Sequence, residues 1–118
     1  MIPLSPTRRV GGLVVVSGQI GRAAGALAGP GVREQTEQAL HNLATALATE
    51  GLTLADVVKT TVFLTDMRDY QQFNDAYRRF FTAPFPARSV VAVVRLPVEG
   101  ACVEIEALAT AATHPAAP

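Results

Sequence analysis

The chain has 118 residues, 49% of them hydrophobic and 17% charged, and its formal net charge is zero. That length supports one core and excludes two, while a neutral chain whose only lysine is Lys59 lacks the basic patch that a main partner of nucleic acid would require. One cysteine (Cys102) and two distant histidines (His41, His114) give no disulfide framework and no metal cluster; no segment spans a bilayer and the first residues do not read as a signal peptide, so a cytoplasmic setting is expected.

Residues 13–18 form a β-branched apolar run closed by Gly18 and predict a strand, with residues 7–10 as an edge strand before the Gly11–Gly12 turn. Residues 21–31 are rich in Gly, Ala and Pro and predict a surface loop. No Gly-Lys-Ser/Thr follows those glycines, so they are not a phosphate loop. Over residues 32–50, Leu40, Leu43, Ala44 and Leu47 recur at helical spacing, and Gly51 supplies a stop. After a connection at 53–56, residues 57–64 predict a strand by their β-branched content. Asp66 or Asp69 can cap a second helix with the apolar stripe Phe73, Ala76, Tyr77 and Phe80, ended by Pro84 and Pro86. Residues 88–94 and 102–108 predict two more strands, joined through Pro97-Val98-Glu99-Gly100 as a hairpin loop. Residues 1–110 thus make a single domain, and 111–118 is a low-complexity tail expected to be disordered.

The order β(β)αβαββ predicts an α+β fold in which two helices cover one face of the sheet. On the 88–94 strand, alternation gives one face Arg88, Val90, Ala92 and Val94 and the other Ser89, Val91, Val93 and Arg95. Both are mostly apolar, and two helices cover one. The second face is therefore expected to pack against another copy of the chain.

Arg88 opens that apolar strand and needs an anion, because a guanidinium cannot shed its proton and its fork suits a carboxylate or phosphate. On the 102–108 strand, Glu104 and Glu106 share one face. If the two strands pair, an arginine and a glutamate come within reach. Two readings then stand open: a structural ion pair inside an interface, or a pocket in which Arg88 holds a substrate carboxylate and Glu104 handles a proton or a water. Ser17 and Gly18 at a strand end can meet a ligand or simply make a turn. Lys59 reads as a solvated strand lysine rather than a Schiff-base lysine, Asn74 as a solvent-facing helix residue, and Tyr77 and Phe80 as core.

Val16-Ser17-Gly18-Gln19-Ile20, Asp56-Val57-Val58-Lys59-Thr60-Thr61-Val62-Phe63-Leu64, Phe73-Asn74-Asp75-Ala76-Tyr77, Phe85-Pro86-Ala87-Arg88-Ser89, Arg95-Leu96-Pro97 and Val103-Glu104-Ile105-Glu106-Ala107 occur in this order. Together they resemble the reactive intermediate deaminase family, also called the YjgF/YER057c/UK114 family, over nearly the whole domain. The resemblance implies a chorismate-mutase-like fold (the bacterial trimeric type) with a mixed sheet, assembled as a homotrimer with pockets between subunits. It implies hydrolysis of reactive 2-imino or 2-enamino acids, such as 2-aminoacrylate and 2-iminopropanoate, to 2-keto acids and ammonia, with no metal and no organic cofactor. Arg88 then matches the arginine that grips the substrate carboxylate, and Glu104 the glutamate that positions or activates water. Ser17 and Gly18 match pocket walls, and Asn74 a polar residue associated with the site. Two positions depart from the family pattern: Leu4 stands where a pocket tyrosine falls, and Val90 where a cysteine is frequent. Losing that hydroxyl and aromatic wall shifts the expected preference toward apolar side chains.

Two other readings differ in class. One is a pathway-specific deaminase with its own enamine; the other is a trimer that binds 2-keto acids without turnover. Members of the family also carry endoribonuclease or translation-inhibitor labels, but the neutral charge and the lack of a paired His/Lys acid–base set argue against nuclease chemistry.

Overall fold

The computed structural model describes residues 1–111; apart from Ala111, the tail expected over 111–118 lies outside the described residues. Strand β1 (Thr7–Val10) turns through Gly11, whose φ of 58° suits glycine, into β2 (Leu13–Ile20). Residues 21–31 are not an unstructured loop. They hold a two-stranded ribbon, β3 (Arg22–Ala23) and β4 (Ala26–Leu27), turned by Ala24 and Gly25, both at positive φ. Two-residue strands carry no periodic signal, so composition alone read as loop.

Helix α1 (Val32–Ala48) buries Val32, Thr36, Leu40, Leu43 and Leu47 at 3–4-residue spacing and stops at Gly51, φ 73°. Each such leucine stabilises the fold by about 1.5–3 kcal/mol. Strand β5 (Val57–Leu64) follows. A short turn capped by the Asp66 carboxylate, which accepts from the Arg68 amide, leads into α2 (Tyr70–Tyr77). Phe73, Ala76 and Tyr77 of α2 are buried, and the Tyr77 hydroxyl lies 2.8 Å from the Thr60 hydroxyl, tying α2 to β5. Strand β6 (Ala87–Ala92) and β7 (Val103–Thr110) complete the chain.

The sheet order is β1-β2-β7-β5-β6, with β6 parallel to β5 and the other pairs antiparallel. It is the mixed α+β sheet expected. The hairpin expected between the last two strands does not form: β7 inserts between β2 and β5, and β5 separates it from β6. The unit β5–α2–β6 is a crossover between parallel strands, which puts β6 at the sheet edge. The connection from 93 to 102 is then long enough to carry the chain across β5 to its other side.

Alternation sorts the sheet into two faces. Val14, Val16, Val62, Leu64, Val103, Ile105, Ala107 and Ala109 meet the helices and are at most 3% exposed. Leu13, Val15, Val58, Val91 and Leu108, on the other face, are 36–43% exposed. Where the two connections meet, the fully buried Gln35 side chain ties both down. Its Nε2 donates to the carbonyls of Gly29 (2.9 Å) and Gly100 (3.1 Å), and its Oε1 accepts from the Cys102 amide (2.9 Å).

Candidate active site

Arg88 lies opposite Thr60 in the parallel register, so it points to the helix side of the sheet at its outer edge. Its guanidinium carbon sits 5.0 Å from the centroid of Tyr77, 5.5 Å from Phe73 and 5.7 Å from Tyr70. These are cation–π distances. Nη2 donates to the Tyr70 hydroxyl at 3.0 Å. No carboxylate of the described residues pairs with it, whereas Arg9 is held by Glu50 and Arg68 by Asp66. Arg88 faces a concavity of about 290 Å³ together with Asn74, Tyr77, Phe85 and Pro86. Asn74 is half-buried rather than solvent-facing, and its Oδ1 is buried without a hydrogen-bond partner. An unpaired buried acceptor costs about 1–3 kcal/mol, so such a group is poised to receive a donor.

Glu104 belongs to the opposite face. A register shift between β2 and β7 at Val16/Gln19 bulges Ser17 and Gly18 out of the ladder, a device that re-aims groups beside sites. The bulge is held from outside: Ser17 Oγ donates to the Ser5 carbonyl (2.6 Å) and the Ser17 amide to the Pro6 carbonyl (3.0 Å). The Glu104 side chain lies directly over Gly18, where a Cβ would run into its carboxylate. Any other residue at position 18 would push that carboxyl aside. Leu4, Ser17, Gly18, Lys59, Glu104 and Leu108 share the walls of a concavity of about 570 Å³. Burial, and then the charge of Glu106, push the Glu104 carboxyl above its ordinary value of 4.5.

Pairing between the Arg88 and Glu104 strands, from which an Arg–Glu contact was expected, is absent. Strand β5 stands between them, a separation of about 10 Å at ordinary strand spacing, and the two side chains leave opposite faces of the sheet. The structural ion pair is therefore excluded within one chain. Ser17, Gly18, Leu4 and Glu104 come together on the open face, and Arg88 and Asn74 at the edge. Val90 joins neither group and packs against the core. Lys59, read as solvated, is half-buried opposite Leu108, at the far end of the same concavity from Glu104. Tyr77 is core as expected, but its ring also carries Arg88. Sequence reasoning missed Tyr70 altogether; its spacing of three and seven residues from Phe73 and Tyr77 marks one helix face.

The profile of the family described as Endoribonuclease L-PSP matches residues 2–111. The chain is 40% identical over 109 residues to the human 2-iminobutanoate/2-iminopropanoate deaminase, a match covering 91% of this chain and 79% of that protein. It is similar in structure to the YjgF gene product of E. coli, with a TM-score of 0.88, 38% identity and coverage of 94% and 90% of the two chains. E. coli TdcF, solved with bound serine, gives a TM-score of 0.87 at 35% identity, covering 93% and 89%.

Proposed function

The chain belongs to the Endoribonuclease L-PSP family, and from that membership we propose that it hydrolyses 2-imino acids, in the manner named for its human relative, to 2-keto acids and ammonia. The observation that carries this reading is Arg88: a guanidinium on a bed of aromatic rings, bonded to a neutral hydroxyl and to no carboxylate of the described residues. Its remaining donors suit the carboxylate of a small substrate.

The working site is built between copies of the chain in a homotrimer. Arg88 and Asn74 come from the sheet edge of one copy; Ser17, Gly18 and Glu104 come from the open face of the next. Leu13, Val15 and Leu108 supply apolar surface for that contact. Once the carboxylate is fixed, C2 of the imine faces a water oriented by Glu104. The water oxygen bonds to C2, and Glu104 accepts its proton. The same carboxyl returns that proton to the nitrogen to give the carbinolamine, then carries the hydroxyl proton to the nitrogen as the C–N bond breaks, and ammonia leaves as the C=O forms. A carboxyl pushed upward by burial exchanges protons closer to neutral pH than an ordinary glutamate. Leu4, Val15 and Leu108 line the Glu104 side and favour substrates with apolar side chains.

The test generates an imine from an amino acid with an amino-acid oxidase and follows ammonia release. Accelerated release with the wild-type protein, lost in Arg88→Ala, is expected. Equal release by wild type, Arg88→Ala and buffer would sink the reading.

A further inference from the structure

Resting on the deaminase reading, we infer that Tyr70 is a positioning residue for the substrate carboxylate, holding one Nη of Arg88 so that the rest of the guanidinium presents its donors in one direction. The three rings beneath Arg88 fix where its charge sits. A ring face attracts a cation with little regard for how the guanidinium is turned within its own plane. A hydrogen bond is directional. Arg88 Nη2 donates to the Tyr70 hydroxyl, 3.0 Å away. That hydroxyl therefore sets the rotation that the rings leave free.

The chemistry of the partner matters as much as its place. Arg9 and Arg68 are pinned by Glu50 and Asp66, whose charges oppose their own. Tyr70 pins Arg88 while leaving its charge uncompensated, so the attraction is kept for an incoming anion. Local structure presents the group: the Asp66-capped turn over Met67–Asp69 ends at Tyr70, the first residue of α2. Tyr70 is 40% exposed, so the core does not require its ring.

Tyr70→Phe keeps the ring and removes the oxygen. The measurements are KM and kcat for the imine, Kd for 2-oxobutanoate as a product-type carboxylate, and exchange of the Arg88 guanidinium protons by NMR. KM and Kd should rise about tenfold, the scale of one hydrogen bond to a charged group, while kcat stays within about twofold. Arg88 exchange should accelerate, and the unfolding temperature should not move. On an Arg88→Ala background, Tyr70→Phe should add nothing to Kd. Wild-type KM and Kd in Tyr70→Phe, or an equal rise on the Arg88→Ala background, would overturn the inference, as would a wild type that does not bind 2-oxobutanoate. A wild type that binds 2-oxobutanoate in a Tyr70-dependent way yet releases no ammonia would overturn the deaminase reading and leave Tyr70 its role.

Discussion

Arg88 and Glu104 carry opposite charges on the same sheet, and their settings are opposite too. Arg88 stands at the edge over Tyr70, Phe73 and Tyr77, in contact with aromatic faces and one neutral hydroxyl. Glu104 stands on the open face against Gly18, with Glu106 on the same strand raising the cost of its charge. Each lacks, among the described residues, what the other has. An arginine without a carboxylate and a carboxyl without a cation are two halves of a site, separated by strand β5 and by the thickness of the sheet. Within one chain the two cannot neutralise each other, which keeps Arg88 available to a substrate and Glu104 available to protons.

The largest expected effect removes the cationic half. Arg88→Ala should lower kcat/KM for a 2-imino acid by about a thousandfold, because it removes a charge-assisted, two-point contact. Steady-state ammonia release reads it, and a loss under about tenfold breaks the comparison. Glu104→Gln should lower kcat by about a hundredfold, the scale of general acid–base catalysis, with 2-oxobutanoate still bound. If Glu104→Gln abolished binding and spared kcat, the two halves would have exchanged roles.

A neighbouring pair of residues sharpens the contrast between the faces. Val14 is 0% exposed and Val15 is 39% exposed. Val14→Asp should prevent folding, since it buries a charge against the helices. Val15→Asp should give a folded chain that runs as a monomer by light scattering and lacks activity. A trimer in Val15→Asp would show that the open face is not the interface.

Smaller effects come from titration. The Glu104 carboxyl is raised above 4.5 in the folded chain, so the folded state holds its proton more tightly than the unfolded state does. Its penalty is absent below pH 4.5, and stability falls as pH climbs from 4.5 through the raised value. Thermal unfolding of the monomeric Val15→Asp form across that window should show the fall, and adding Glu104→Gln should flatten it. Cys102 bears on stability and catalysis least: burial pushes its thiol up to about 11 from 9.0. Iodoacetamide should label it about a hundredfold more slowly at pH 8 than an ordinary thiol.

Much of this was legible from residue pattern. Leu40, Leu43 and Leu47 mark α1, the β-branched run marks β5, and Val103, Ile105 and Ala107 mark the covered face of β7, because periodicity is a local property of the chain. Strand order is not local. Pro97-Val98-Glu99-Gly100 looks the same whether the chain returns beside β6 or steps over β5, so the hairpin expectation failed there. The Arg–Glu contact that depended on it failed too. Arg88 and Glu104 stood out because charge in an apolar strand is conspicuous. Tyr70 did not, because a tyrosine on an amphipathic helix needs no explanation until its hydroxyl is seen on a guanidinium. The open second face was foreseen from two helices set against a sheet apolar on both sides, and Leu13, Val15 and Leu108 are the residues that expose it.

Gln35 governs two stretches of chain that never pair with each other. One amide group accepts from Cys102 and donates to Gly29 and Gly100, a set that neither a carboxylate nor an apolar isostere reproduces. The two connections can therefore differ in length and composition without harm as long as those three backbone groups return to the same amide. A change at Gln35 itself has no such latitude: it would loosen the ribbon before α1 and the start of the strand that carries Glu104 in a single stroke.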